Sequence, residues 1–389
     1  MFDCFGKDLI VWRCGLFYVS QRHDTVSSPT RRVAACREEI PSIVSGMKLS
    51  MTTTSAAPVG NTPLVCLDRI FPADGVPVFA KLEMLNVGGS VKDRTAQYMV
   101  DQAVGAGRIT ADSHLVESSS GNLAIALAMI CRQRGLPFTA LVDPNISPVN
   151  LRLIETYGGR IDRVDETDEE GGYLHTRVRR VEHLVGTIPG AVWLNQYANP
   201  DNWRAHYAGI GAEIVREMPA EPSHVVAAVS TCGTLMGLAR RLRERWPRIA
   251  VVAVDMEGSV IFGAPGGRRD IPGIGASRVP EQLRESEVDA VIYATDWEAA
   301  LGCRRLVDGE GILAGGSSGA VVAAIAKLIP QLPAGSRIVT LLPDGGERYL
   351  DTVHDRSWPE RERRFTRSFA DSYRSIDRPR REAARSTAA

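Results

Sequence analysis

The amino-acid sequence predicts an α/β protein of two domains, with parallel-rich sheets flanked by helices. Three observations point there. Short apolar runs alternate with longer amphipathic ones through the middle of the chain, the pattern of right-handed crossovers over sheets covered on both faces. The 389 residues are enough for two sizeable cores. Their composition, 44% hydrophobic and 24% charged, suits a folded soluble enzyme and not a largely disordered chain.

Taken in order, Val78–Leu82 is an apolar run of strand length, and 93–106 spaces its apolar residues three and four apart, as a helix does. Strands at 114–117 and Phe138–Val142 bracket a helix at Asn122–Arg134. A helix at 147–157 leads to a strand at 160–164, and strands at 225–229, 250–255 and 337–342 alternate with helices at 235–246 and 320–328. Ligands of such sheets sit at the carboxyl ends of the strands, where loops enter helices. Residues 1–55 read as an extension. Arg13 interrupts their apolar patches and no small-residue cleavage site follows, which argues against a signal peptide and leaves Met47 or Met51 as candidate true starts. Residues 356–389, with ten Arg against five Asp and Glu, read as a solvated tail.

Charge and cysteine usage exclude several classes. Lys+Arg and Asp+Glu both number 46, so no global field draws nucleic acid or a membrane surface. Apolar stretches such as 123–131 fall short of the roughly 18 residues needed to span a bilayer. The seven cysteines are scattered without a C-x-x-C pair, which argues against a zinc ribbon, a redox pair or a disulfide scaffold and for a reducing cytoplasm; no metal site is expected. Against 41 arginines stand five lysines, at 7, 48, 81, 92 and 327, so amine chemistry has few candidates.

Five loops concentrate Gly, Ser, Thr and Asn at the expected strand ends. In Asn86-Val-Gly-Gly-Ser-Val-Lys-Asp-Arg94, Lys92 opens a helix, where the dipole disfavours a second positive charge and favours a nucleophilic amine; it also reads as an ordinary lysine paired with Asp93. Glu117-Ser-Ser-Ser-Gly-Asn122 offers more hydroxyls than an N-cap needs and suits a carboxylate. Ser230-Thr-Cys-Gly-Thr234 is a phosphate cradle; Gly233 and Gly237 lack the spacing of a dinucleotide fingerprint. Gly315-Gly-Ser-Ser-Gly-Ala320 and Pro343-Asp-Gly-Gly-Glu-Arg-Tyr349 are weaker, a cap and a turn when taken alone.

In this order, with Gly60-Asn-Thr-Pro-Leu64 and Lys81-Leu-Glu83, the loops resemble the fold-type II pyridoxal-phosphate enzymes of the cysteine synthase and cystathionine β-synthase family, whose fold is tryptophan synthase β-like, over about residues 58–352. The resemblance implies a smaller domain at 87–196, a larger one at 56–86 plus 197–355, and usually a homodimer. It implies that Lys92, not Lys81, is the catalytic residue and holds pyridoxal 5'-phosphate as a Schiff base. Asn122 would bond the cofactor's ring oxygen, Ser230, Thr231, Cys232, Gly233 and Thr234 would hold its phosphate, and Ser317 would face the pyridine nitrogen. A neutral hydroxyl there favours β-elimination over transamination. Ser119, Ser120 and Gly121 would bind the substrate carboxylate, helped by Gln196 and Tyr197.

Departures point to a subgroup. Val87 stands where cysteine synthases usually have proline, and Leu123 where they have threonine. The glycine-plus-apolar pair at the mouth becomes Ser277-Arg278 in Pro272-Gly-Ile-Gly-Ala-Ser-Arg-Val-Pro280. Arg278 reads as a ligand for an extra anion or as a surface residue; Arg177, in Gly171-Gly-Tyr-Leu-His-Thr-Arg177, is a second candidate. These segments resemble the diaminopropionate-pathway synthases of siderophore and peptide-antibiotic clusters. That implies β-replacement of O-phospho-L-serine by L-glutamate through an α-aminoacrylate, with small amino acids as the partners. A cysteine synthase using sulfide shares every cofactor residue and is the nearest rival; a catalytically silent cofactor-bound protein is the rival from another class.

Overall fold

The computed structural model describes residues 59–72, 75–168, 172–355 and the backbone of 373–375. The expected extension at 1–55 lies outside the described residues, as does most of 356–389. In chain order, β1 (Leu64–Cys66) and β2 (Val78–Leu82) lead to α1 (Lys92–Gly105). Then β3 (His114–Ser118), α2 (Asn122–Arg134), β4 (Phe138–Val142), α3 (Pro148–Thr156), β5 (Arg160–Arg163), α4 (Leu174–Thr187) and β6 (Ala191–Trp193) alternate. α5 (Asp201–His206), a π-turn at Tyr207–Gly211 and α6 (Ala212–Glu217) precede β7 (His224–Ala228), α7 (Gly233–Arg245), β8 (Ala250–Met256) and β9 (Ala290–Ala294). α8 (Asp296–Arg305), α9 (Gly316–Leu328), β10 (Ile338–Leu342) and β11 (Tyr373–Ser375) complete the order.

Two sheets result. The smaller, in order β5-β4-β3-β6, is parallel throughout, and the larger, β1-β2-β10-β7-β8-β9-β11, is parallel except at its two edges. Period-two alternation divides the larger sheet's buried side chains. Val226, Val252, Val254 and Ile292 face the α8–α9 layer, and Val225, Ala227, Val251, Ala253 and Val291 face α7. Both faces are covered, which is why these strands read as continuous apolar runs. The smaller sheet is covered by α1 and α2 on one face, and on the other Val181 and Leu184 of α4 pack on Val116 and Leu141. β11 comes from the segment expected as a tail and pairs antiparallel with β9. No described helix is long and apolar enough to cross a membrane.

The α8–α9 contact rests on two glycines. A Cβ on Gly302 would overlap the Gly319 carbonyl oxygen, and one on Gly319 would overlap the Ala299 carbonyl oxygen. Since backbone atoms cannot yield as side chains do, the helices must part. Gly302→Ala is therefore expected to destabilise the fold by about 1–3 kcal/mol, read as a lower urea midpoint at unchanged slope. An unchanged midpoint would show that the helices separate without cost.

Candidate active site

The loop from β2 to α1 is tied to the end of β10: Val91 N donates to Pro343 O at 2.8 Å, and Ser90 bridges Asp344. Asp93 accepts from Gly88 N at 2.6 Å, so it shapes this loop and makes no ion pair with Lys92. Lys92 opens α1, and among the described residues its Nζ has no hydrogen-bond or ion-pair partner. Burial pushes its ammonium below the usual lysine value, against the pull of the Asp344 carboxylate. Lys81 differs in every respect: fully buried, it pairs with Glu213 at 2.9 Å and Glu217 at 2.7 Å and donates to the Thr62 carbonyl. Lys327 is held by Glu298 at 2.7 Å.

One small cavity brings together Lys92, all of Ser230–Thr234 and Ser317. Cys232 adopts a left-handed backbone (φ 61°) as the N-cap of α7, and a Cβ on Gly233 would overlap the Asn202 side chain. The cradle is braced from behind. Asn202 Nδ2 donates to Thr231 Oγ1 at 3.1 Å, and His206 Nε2 lies 3.2 Å from Thr234 Oγ1 and 3.0 Å from Thr95 Oγ1. Burial, with Lys92 and Arg94 nearby, holds His206 well below the usual imidazole value, hence neutral. No side chain caps α2, α7 or α9, so neither the serines nor Asn122 serve as N-caps.

Ser230 and Gly273 line both this cavity and a larger cleft of about 840 Å³. The cleft wall includes Asp143, Arg177, Tyr197, Arg269 and Ser277. Arg177 donates to Ser120 Oγ at 2.7 Å and pairs with Asp143 at 2.7 Å, which joins it to the serine loop. Ser119 Oγ accepts from Gly121 N at 3.4 Å. Gln196 is buried, with Nε2 3.5 Å from Ser118 O. Asn122 gives one amide hydrogen to Asp344 Oδ2 at 2.7 Å and accepts from Arg348, leaving its second hydrogen available. Arg278 is not among the residues lining the cleft. It pairs with Glu281 three residues on and stacks on Tyr197 at 5.0 Å, while Arg269 takes the cleft wall and donates to Ser277 Oγ at 3.0 Å. Sequence reasoning gave no role to Asp143 and His206, whose partners lie far away in the chain, to Arg269, or to Asp344 and Arg348 within the loop it had singled out.

The pattern described as "Pyridoxal-phosphate dependent enzyme" matches residues 56–344. The chain belongs to that family. A relative from Ralstonia nicotianae, named N-(2-amino-2-carboxyethyl)-L-glutamate synthase, is 56% identical over 77% of this chain and 89% of its own. One from Cupriavidus metallidurans with the same name is 55% identical over 77% and 89%. Among solved structures, the O-acetylserine-dependent cystathionine β-synthase of Helicobacter pylori superposes with a TM-score of 0.71 at 32% identity, covering 76% of this chain and 95% of that one. The fold is that of the fold-type II pyridoxal-phosphate enzymes.

The described residues fit pyridoxal phosphate. An unpaired amine at Lys92 can take its carbonyl carbon, and the uncapped start of α7 with its hydroxyls can take its phosphate. Ser317, whose hydroxyl has no hydrogen-bond partner among the described residues, lines the same cavity and can meet its ring nitrogen.

Glu117 lies beneath the serine loop and fixes the turn after β6. Burial pushes its carboxyl up to about 7, although Trp193 Nε1 (2.9 Å), Ser118 N (2.9 Å) and the Asn195 and Gln196 amides all donate to it. The folded state thus holds its proton more tightly than the unfolded chain. Its contribution is fully present below the ordinary carboxyl value and is lost as pH rises through about 7. Glu117→Gln is expected to retain stability that the wild type loses between about pH 5 and about pH 7.5, up to about 3 kcal/mol. Urea midpoints across that range check this, and parallel wild-type and variant curves would refute it.

Proposed function

We propose that this enzyme joins O-phospho-L-serine and L-glutamate into N-(2-amino-2-carboxyethyl)-L-glutamate, releasing phosphate, as a step towards 2,3-diaminopropionate. The observation that carries the reading is Arg177, a cleft-lining guanidinium in hydrogen-bond contact with the serine loop. Two anionic substrates in succession call for such a fork, which sulfide does not. The names of the two relatives at 55–56% identity support it.

Bound pyridoxal phosphate supplies the electron sink that makes the Cα proton acidic and the Cβ substituent expellable. The chain supplies the rest. Ser230–Thr234 bind the cofactor phosphate, Ser317 meets the ring nitrogen as a neutral hydroxyl, and Asn122 offers its second amide hydrogen to the ring oxygen. Ser119, Ser120 and Gly121, with Gln196 and Tyr197 beside them, receive the substrate carboxylate. The Lys92 amine, whose pKa burial lowers, removes the Cα proton and later returns it. The Cβ–O bond to phosphate breaks, and a Cβ–N bond to the glutamate amine forms as that amine loses a proton.

The same reading carries a cytoplasmic homodimer whose product enters siderophore or peptide-antibiotic assembly. Cytoplasmic residence is supported by the free thiols at Cys66, Cys131, Cys232 and Cys303; the homodimer and the pathway rest on resemblance.

Purified enzyme given O-phospho-L-serine is expected to release phosphate and form the glutamate adduct, identified by mass, when L-glutamate is the acceptor. Cysteine formation from sulfide with no glutamate adduct would replace this reading with a cysteine synthase. Arg177→Lys keeps the charge but loses the fork, and is expected to lower kcat/KM by about 10–100-fold.

A further inference from the structure

Of the three guanidiniums that line the cleft, Arg268 pairs with its neighbour Asp270 at 2.8 Å, and the other two keep different company. Arg177 is matched by the Asp143 carboxylate at 2.7 Å. Arg269 has no carboxylate within 4 Å among the described residues; Asp255 and Asp296 act on it only at longer range. It is held all the same. One terminal nitrogen donates to the Gly258 carbonyl and the other to Ser277 Oγ at 3.0 Å. Its stem crosses Gly275, where a Cβ would come within 3.0 Å of Arg269 Cδ and 3.1 Å of Nε. Two of five N–H donors are used by these anchors, so three remain. A half-buried, fixed guanidinium without a counter-charge is unfavourable unless a ligand brings one, and burial does pull the Arg269 pKa down.

We infer that Arg269 is a specificity-determining residue that binds the side-chain carboxylate of the second substrate, with Ser277 and Gly275 positioning its fork. This rests on the proposed reaction with glutamate. The donor amino acid has the serine loop and Arg177 for its anionic groups. The 258–277 segment carrying Arg269 forms a separate part of the cleft wall and reaches the cofactor cavity through Gly273. A nucleophile entering along that segment has its amine towards Lys92 and its distal carboxylate at Arg269.

The experiment measures the preference of holoenzyme for L-glutamate over L-glutamine, which lacks only the distal charge. KM for O-phospho-L-serine is followed in parallel. In Arg269→Gln the glutamate preference is expected to fall by about 10–100-fold, chiefly through KM for glutamate, with KM for O-phospho-L-serine staying where it was. Arg269→Lys should retain part of the preference, and Ser277→Ala should erode it less than Arg269→Gln, because the anchor is lost but the fork remains. A rise confined to the O-phospho-L-serine KM would assign Arg269 to the donor phosphate and overturn the inference. So would an unchanged glutamate-to-glutamine ratio in a variant that still forms product. A wild type with no glutamate adduct fails at the earlier step and sinks the proposed reaction itself, which sets that outcome apart from the others.

Discussion

Arg94 lies two residues beyond Lys92 with its fork closed on Glu83 from one side and Glu213 from the other, and the placement of the reactive amine depends on that grip. Its four contacts to the two carboxylates run from 2.6 to 2.9 Å, and Lys81 and Thr62 complete the network. Burial works to raise the Glu213 carboxyl, but Arg94, the Asn61 amide and Lys81 prevail and leave it at about 2. The Glu213 and Arg94 charges are therefore permanent near neutrality. Buried ion pairs of this kind add little net stability over apolar packing, yet removing one partner costs about 3–5 kcal/mol. What the network supplies is position: it ties the ends of β2 and α6 to the first turn of α1. Gly60 belongs to the same device, since at φ 95° it takes a left-handed backbone where a Cβ would come 2.9 Å from an Arg94 terminal nitrogen.

The site divides its anions between the two sheets. The smaller sheet presents the serine loop at the start of α2, and the larger presents the phosphate cradle at the start of α7. Both helices begin without a side-chain cap, so their first N–H groups remain free for a ligand. α8 makes the contrast. Thr295 and Glu298 close its first turn in a capping box, and none of its residues lines the cleft.

Much of this was legible in the sequence, and what was not has physical causes. β2, β4 and α2 match their expected bounds because their apolar residues are continuous or too numerous for any other element. α9 begins at Gly316, four residues before its apolar run, because Gly and Ser at a helix start carry no hydrophobic signal. α4 was invisible since only Val181 and Leu184 enter a core, and β6 is three residues long. At the site, Lys92 stood out through the scarcity of lysines and the Gly- and Ser-rich loops through composition. Arg269 and Arg278 look alike in sequence. Only tertiary contacts separate them, Glu281 and Tyr197 holding one and Gly258 and Ser277 the other.

Cys232 sits in the wall that Lys92 shares, with its side chain packed into the apolar core around α7. Here burial pushes the thiol well above its usual value, with Asp255 adding to the effect, so the thiolate is scarce at neutral pH. The burial that leaves the lysine amine readier to react makes the neighbouring sulfur inert. One low-dielectric wall acts on a cation and on an acid in opposite senses.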